Sequence, residues 1–477
     1  MVDRTSVLIV GAGPCGLTAA CELLRAGVPV RVVEASEEPH TGSRAIQLWP
    51  PALEIFRGLG FLDEALERGV KVRTMAYHLA GRKRLDVVLG RRNEPLLLRQ
   101  EETSRLLEET FAALGGVVER GLRVVDVVNG ADSVTVKVDS PRGVEVVEAD
   151  WLIAADGVRS TVRERLGVDF PGERVGATLL LAEGRVDGPL DAGAVHYFLG
   201  RTGSLVFARM AGGRTRVSAA IPADAELSPE FVQSLLDERG PGGLVVRDLD
   251  TLTTFSSSER IAARLRLGRC FLVGDAAHTH SPLGGQGLNL GLQDVHNLTW
   301  KLAGVVTGKL GEAVLDTYEP ERRQAAEQVV STTSRMIKVF TVGPFAARVR
   351  NGTWGLLQAT GALRRWFVPL MAGWRTPYPD TLGWGGAKWL PAPGTRAPHW
   401  VPPSADRAFR LVTAGPRAGA LAKHAASAAA AHPDLAHHHV HRPTAGFLLV
   451  RPDGYVAASG RTAAALRAAC DKLERAS

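Results

Sequence analysis

SVLIVGAGPCGLTAACELLRAG, residues 6–27, is the stretch that decides the architecture. Ser6 to Val10 is a short apolar, β-branched run of the kind found in a buried strand. GAGPCG follows at once, and the Leu, Ala and Cys positions behind it suit a helix packed on a sheet. The expected unit is therefore strand, tight turn, helix. Gly11 permits the turn, Gly13 lets the backbone approach a pyrophosphate, and Gly16 lets the helix sit close to the strand. The amides at the helix N-terminus then face the phosphates. A second strand, VPVRVVEAS, delivers Glu34 eighteen residues after Gly16, the spacing of a carboxylate that bonds ribose hydroxyls. Glycine-rich strand-to-helix turns also occur for purely structural reasons. With strand, helix and acidic partner all in place, the stretch reads as a binding unit for adenosine diphosphate. Glu34 in place of a basic residue favours a free 2′-hydroxyl, so NAD or FAD over NADP at this site.

Two later stretches repeat the logic. ADWLIAADGVRSTVRERLG, residues 149–167, reads as a buried strand ending in Asp156-Gly157, with Arg159 and Ser160 at the start of a helix. Arg163 and Arg165 read as ordinary exposed helix charges. In GRCFLVGDAAH, residues 268–278, Cys270 to Val273 is a strand, Gly274 a turn and Asp275 a polar group at its end. Ligands in open α/β sheets gather where strands end in this way. Beyond it, GDAAHTHSPLGGQGLNLGLQD, residues 274–294, is dense in glycine. Glycine costs backbone entropy on ordering, so the main chain here is expected to turn sharply or to touch something flat or charged.

GxGxxG, DG and GD, in this order and at these separations, resemble the flavin monooxygenases of the p-hydroxybenzoate hydroxylase fold, and among them the bacterial aromatic polyketide hydroxylases. SRAIQLWPPALEIFRGLG, RQEETSRLLEE, GGQGLNLGLQDVHNLTWKLA and LDTYEPERRQAAE support the resemblance, which covers nearly the whole chain. It implies FAD as cofactor, NADPH or NADH as co-substrate, and hydroxylation of a polycyclic phenol with O2 through a flavin C4a-hydroperoxide. Residue by residue, it implies cofactor contacts at Gly11, Gly13, Pro14, Gly16, Glu34, Ala35 and Arg44. Gln100 or its neighbour Arg99 stands where the ribityl chain is met, Asp156 and Gly157 form the DG motif, and Asp275 is the GD aspartate. Pro282, Gly285, Gly287, Leu288 and Asn289 match the loop along the isoalloxazine ring, where bare backbone at Gly284, Gly285 and Gly287 leaves room for a planar group. The helix beginning near Leu288 aims its dipole at the edge of that ring. No catalytic base is identified; His196, Tyr197 and Arg209 are candidates only because they lie in the segment expected to cover the ring.

Bulk properties frame these motifs. With 477 residues, 45% of them hydrophobic, the chain exceeds what one core usually organises, so two or three domains are expected. Cys15, Cys21, Cys270 and Cys470 show neither CxxC nor metal-ligand spacing, which points to a reducing, cytoplasmic setting. The N-terminal apolar run holds Gly and Pro at turn positions and lacks a cleavage pattern, so neither signal peptide nor membrane span is read. Net charge is +7, but the arginines are dispersed, which argues against nucleic acid as partner. The expected partners are a small aromatic substrate and O2, with no membrane; a homodimer is compatible. No metal site is expected: His278 and His280 lack a third ligand nearby, and AHPDLAHHHVHRP, residues 431–443, reads as a solvated surface loop.

The fold class expected is α/β: a Rossmann-like FAD-binding domain, an inserted β-sheet substrate domain and a C-terminal thioredoxin-like domain without CxxC. The boundaries read are 1–175 with 255–345 for the first, 176–254 for the second, a helical connector at 346–390, and 391–477 for the tail, whose single Cys470 excludes dithiol chemistry. Trp300 reads as a core residue. Two alternatives stand beside hydroxylation. One is a flavoenzyme of the same fold performing epoxidation, Baeyer–Villiger insertion or antibiotic inactivation; the other is a non-catalytic binding protein. An intact GxGxxG with Glu34 and Asp275 speaks against the last.

Overall fold

The computed structural model describes residues 3–39, 45–79, 83–199, 203–282, 284–340, 344–401, 408–415, 419–432, 434–442 and 444–476. β1 (Asp3–Val10) turns at Gly11 into α1 (Pro14–Arg25), which returns to β2 (Val30–Glu34). Proline at the first helical position suits α1, because that residue needs no amide donor. Val7 to Val10 are all buried, as expected of a strand covered on both faces rather than one. Further along come α2 (Gln100–Ala113), β3 (Gly143–Ala154), β4 (Cys270–Leu272), α3 (Gly287–Val306) and α4 (Tyr318–Phe340). β3 pairs parallel with β1 on the side away from β2, and β4 pairs parallel with β3. The sheet therefore runs 266–267, β4, β3, β1, β2, 118–120, and the strands that carry the three motifs lie side by side. α1 packs against both α2 and α3. α3 is buried on nearly every side, polar residues included, which makes it the central pillar of the molecule.

A second, eight-stranded sheet runs 278–279, 245–261, 172–187, 215–221, 204–209, 194–199, 74–79, 83–88. It is wider than the inserted segment 176–254, since residues 74–88 supply its last two strands, with 194–199 pairing parallel to 74–79. Side-chain alternation gives it two faces. One carries Phe198, Leu205, Phe207 and Val217 and packs on the helix Pro229–Arg239. The other carries Met75, Tyr77, Val195, Tyr197 and Ala208 and packs toward Trp49, Leu97 and Met371.

The connector is helical over Pro344–Ala359 and 363–371 and irregular thereafter. The tail forms a four-stranded sheet ordered 435–440, 409–414, 446–450, 456–460, with helices Ala420–Ala431 and Ala463–Ala476. A parallel β-α-β unit followed by an antiparallel β-β-α unit is the thioredoxin-like arrangement. It overturns one expectation: residues 435–440 are not a surface loop but a strand paired with 409–414, whose main chain recruits the His-rich run. Trp300 is core, meeting Phe409 of the tail edge-on at 5.5 Å. Cys470 is buried, and none of the four cysteines forms a disulfide.

Buried charge locks the tail onto the central helices. Arg451 donates to Glu321 at 2.6 and 2.9 Å, Lys301 donates to the same carboxylate at 2.9 Å, and Asn297 bonds both Glu321 and Asp453. Burial alone would raise the Glu321 carboxyl, but Arg451 and Lys301 together hold it well below the usual range. Burial pushes the Lys301 ammonium down to about 8. Removing one member strands the others: Glu321→Ala is expected to cost roughly 3–5 kcal/mol of stability. Urea unfolding checks this, and a loss below about 1 kcal/mol would contradict the geometry.

Candidate functional site

The carboxyl ends of β1, β3 and β4 are stitched together, Ala155 N donating to Val10 O (2.8 Å) and Val273 N to Ala154 O (3.0 Å). Two glycines of the first turn are demanded by the protein itself. Gly11 has φ +101°, and a Cβ there would lie 2.5 Å from Ala155 O; a Cβ on Gly16 would lie 1.9 Å from Gly11 O. Gly13 is different. Its φ of −72° suits any residue, and a Cβ there would meet no atom within 4 Å, so open space lies at the N-terminus of α1. Glu34 is fixed beside it, accepting from Ala12 N (2.8 Å) and Ser36 N (2.9 Å), with Ala35 between. Pro14 is the first residue of α1, and Arg44 lies outside the described residues.

The DG and GD turns face each other. Asp156 Oδ2 accepts from Val162 N at 3.0 Å, while its buried Oδ1 has no hydrogen-bond partner. Burial raises this carboxyl above the usual range. Gly157 has φ +78°. Arg159 is exposed, but Arg163 is not the exposed helix charge expected: it is buried and donates to Ala276 O (2.9 Å) and Val158 O (2.9 Å), tying one turn to the other. Its neighbour Arg165 is exposed. Asp275 is exposed at the strand end, directly after Gly274. A Cβ on Gly274 or Gly291 would lie 2.8 or 2.6 Å from Cys15 Sγ, so α1, α3 and this turn close on one another only through glycine.

The glycine-rich loop opens α3. Gly284 and Gly285 have φ of +81° and +61°, Gly285 N donates to Pro282 O, and Trp49 Nε1 donates to Gly284 O. Gly287 begins α3 and faces His280, and Leu288 is half-buried. Asn289 turns its side chain to the protein: its Nδ2 donates to Gln47 O and Gly285 O, both 2.7 Å, and its Oδ1 accepts from Trp49 N at 2.6 Å. The side chain pins the loop to the 47–49 segment. Gln100 continues that seam, accepting from Ala45 N at 3.2 Å, while Arg99 pairs with Glu101 at 2.6 Å.

Three buried polar atoms around these turns lack a hydrogen-bond partner: Asp156 Oδ1, Gln47 Nε2 and His280 Nε2. Gln47 lies against Gly285. His280 is neutral, since burial pushes its imidazole down to about 4; its Nδ1 donates to Ser281 O at 2.8 Å, which leaves Nε2 as an acceptor. Polar atoms of this kind, with the open space at Gly13, fit a ligand that has a pyrophosphate at one end and a flat, hydrogen-bonding ring at the other. Those residues fit FAD.

The three catalytic candidates do not join this group. His196 and Arg209 stand on the helix-facing side of the second sheet, where His196 Nδ1 meets His78 Nε2 at 3.0 Å and Arg209 donates to Gly188 O. Tyr197 is on the other face but stacks on Tyr77 at 5.0 Å, and burial pushes its phenol up to about 12, which keeps it protonated. Period-two alternation is the reason: neighbours in one strand cannot share a cavity. That face carries instead a buried Arg216–Glu183 pair, with Arg99 of the α2 N-terminus 3.5 Å from Glu183. Sequence reading missed Gln47, Arg163, Arg216 and Glu183; only Gln47 and Arg163 stood within quoted motifs. Among the described residues no group of three or more potential ligands could hold a metal ion. No helix there is long and apolar enough to cross a membrane.

Comparison with known proteins agrees with this construction. Residues 4–333 match the FAD binding domain family. The chain is 38% identical over 342 residues to 6-methylpretetramide 4-monooxygenase of Streptomyces rimosus, covering 69% of this chain and 61% of that protein. It is 38% identical over 358 residues to rifampicin monooxygenase of Streptomyces venezuelae, covering 72% and 74%. Among solved structures, the OxyS anhydrotetracycline hydroxylase from Streptomyces rimosus superimposes with a TM-score of 0.76 at 30% identity, covering 96% of both chains.

The two kinds of glycine separate experimentally. Gly13→Val is expected to strip the cofactor while the thermal midpoint of the cofactor-free protein stays within about 3 °C of wild type, whereas Gly16→Ala lowers that midpoint by ~5 °C or more. Retention of full FAD occupancy by Gly13→Val would show the site to be misplaced. Acid supplies a second check. His280 is depressed on folding, so its contribution to stability is present above its unfolded value of 6.5 and is lost as pH falls toward 4. A loss on the order of 3 kcal/mol is expected across that window, and His280→Gln should flatten the slope. Equal slopes in both proteins would refute the buried neutral imidazole.

Proposed function

The chain belongs to the FAD binding domain family, and on that premise we propose that it is an FAD-dependent monooxygenase that hydroxylates a polycyclic, phenolic, polyketide-like substrate. The single observation that carries the cofactor reading is Gly13, a glycine required by neither its own dihedral nor any protein neighbour. A pyrophosphate lying against the N-terminus of α1 gives the open position its reason. The substrate class rests on the similarity to monooxygenases named for pretetramide, rifampicin and anhydrotetracycline.

When bound, FAD supplies hydride acceptance from a reduced pyridine nucleotide, NADPH or NADH, and the activation of O2. The chain supplies placement. The N-terminus of α1 with Gly11, Gly13, Pro14 and Gly16 receives the pyrophosphate, and Glu34 with Ala35 receives the adenosine ribose. Gln100 and Asp275 hold the ribityl chain, and Asp156 and Gly157 serve both nucleotides, since the sequence holds no second GxGxxG with a ribose partner. The loop of Pro282, Gly285, Gly287 and Leu288 lies along the ring with bare backbone at its glycines, while Asn289 fixes that backbone from behind. The twenty-residue α3 directs its positive end at the same place and favours negative charge there. The apolar face of the second sheet excludes water from the reacting atoms. Its Arg216–Glu183 pair is a buried charged feature of that wall. His196, Tyr197 and Arg209 take no part.

The division of labour follows the proposed boundaries: 1–175 and 255–345 for cofactor, 176–254 with the added strands of 74–88 for substrate, 346–390 as connector and 391–477 as tail. The enzyme works in the cytoplasm, alone or as a homodimer.

Stoichiometry tests the proposal. NADPH consumed, hydrogen peroxide released and oxygenated product formed are measured with p-hydroxybenzoate and with a series of polycyclic phenols. Tight coupling is expected only for polycycles, with product structure separating hydroxylation from insertion into a ring bond. Coupling with p-hydroxybenzoate alone overturns the substrate class, and a purified protein that binds no FAD overturns the whole reading.

A further inference from the structure

Asp294 lies in α3 with no exposure to solvent, and three groups converge on its carboxylate. Gly274 N donates to Oδ2 at 3.0 Å, His278 Nε2 stands 2.6 Å from the same oxygen, and Arg322 Nε donates to Oδ1 at 2.7 Å. The first two belong to the turn that presents Asp275. The third leads away from it. Arg322, equally buried on α4, donates through Nη1 to Tyr378 Oη at 2.6 Å and through Nη2 to Leu290 O at 3.1 Å. Tyr378 stacks on Tyr455 of the C-terminal sheet with centroids 3.7 Å apart and planes 12° from parallel. Tyr455 is itself fixed, donating to Thr376 O at 3.0 Å with the Arg396 guanidinium 4.5 Å above its ring.

Arg396 starts a second arm. It approaches Gln293 Oε1 at 3.5 Å, and Gln293 Nε2 donates to Asn289 O at 3.0 Å, in the first turn of α3. Residues 293 and 294 are neighbours on one helix, so the tail reaches the GD turn through one and the glycine-rich loop through the other.

We propose that the C-terminal domain is a positioning element for the cofactor, acting on the 274–278 turn through Tyr455, Tyr378, Arg322 and Asp294, and on the 285–289 loop through Arg396 and Gln293. Its lack of a CxxC pair is then no loss of function. The domain contributes a fixed surface against which two loops are set, and Asp294 and Arg322 are positioning residues. Charge explains why the device is rigid. A buried carboxylate oxygen that loses Arg322 is left without its charge partner, and that cost holds the arrangement in one geometry.

The inference rests on the FAD reading above, and the test keeps the two apart. Wild type and Tyr378→Phe are compared in full-length protein. The substitution keeps the ring stacked on Tyr455 and deletes only the oxygen that receives Arg322. FAD affinity is measured by titrating cofactor-free protein, and the visible spectrum and midpoint potential of bound FAD are measured at saturation. The expected result is about tenfold weaker FAD binding with a displaced spectrum and potential. A purely structural role would lower the unfolding midpoint and leave spectrum and potential at wild-type values, and that result overturns the proposal. Should Tyr378→Phe fail to fold, Arg396→Gln cuts the second arm at its root, and wild-type affinity, spectrum and potential in that variant overturn it equally. Wild type that binds no FAD refutes the function first, and this inference with it.

Discussion

Close approach of bare backbone is the constraint on which the molecule depends. A methyl group at Gly16 would stand 1.9 Å from Gly11 O, and one at Gly291 would stand 2.6 Å from Cys15 Sγ. These two contacts set how near α1 comes to the ends of β1 and β3 and how near α3 comes to α1. The DG and GD turns meet because β3 and β4 lie beside β1, and the loop at 284–289 arrives at the same place because α3 sits flush against α1 and Gly274. Side-chain packing fills the space afterwards; it does not choose the distances.

The second organising force is buried charge, and it is concentrated on α3 and α4. Asp294, Lys301, Glu321 and Arg322 are all inaccessible to solvent. Each costs several kcal/mol to dehydrate and is retained only because partners are held in place on other elements. Such a cluster is unforgiving about geometry, which is its value here. Apolar residues would let α3 slide or rotate by a fraction of an ångström among similar packings. Directional ion pairs fix its rotation, and the loop at its N-terminus with it.

How far the sequence disclosed this differs by mechanism. The first sheet was legible because its motifs depend on glycines and strand-end carboxylates at fixed offsets, and Gly11, Glu34 and Asp275 stand where local spacing puts them. The tail was legible only by its resemblance to a thioredoxin-like domain, and 435–440 was read as a loop because three consecutive histidines disguise a strand whose partner lies twenty-six residues earlier. Arg163 was misread because an arginine in the short helix just past the Asp156-Gly157 turn looks exposed until a third segment, Ala276, is brought over it. Asn289 was placed beside the ring by resemblance alone; the partners of its side chain, at 47 and 49, lie some 240 residues away. Non-local partners leave no periodic trace, so charged and amide side chains that act across the fold are the ones a linear reading loses.

The second sheet shows why the same loss affects the chemistry. His196 and Tyr197 are adjacent in sequence yet lie on opposite faces, one against His78 and Phe198 and the other against Tyr77. Position in the inserted segment marked both as candidates, while pleating turns the first to the helix-packed face and burial makes ionisation of the second costly. What the sheet offers a substrate is therefore shape and exclusion of water more than proton transfer. A cofactor that carries its own reactivity needs only that, together with loops that hold the ring still. Catalytic power in this chain is accordingly invested in residues that touch no reacting atom: glycines that close the gaps between helices, and buried ion pairs that keep them closed.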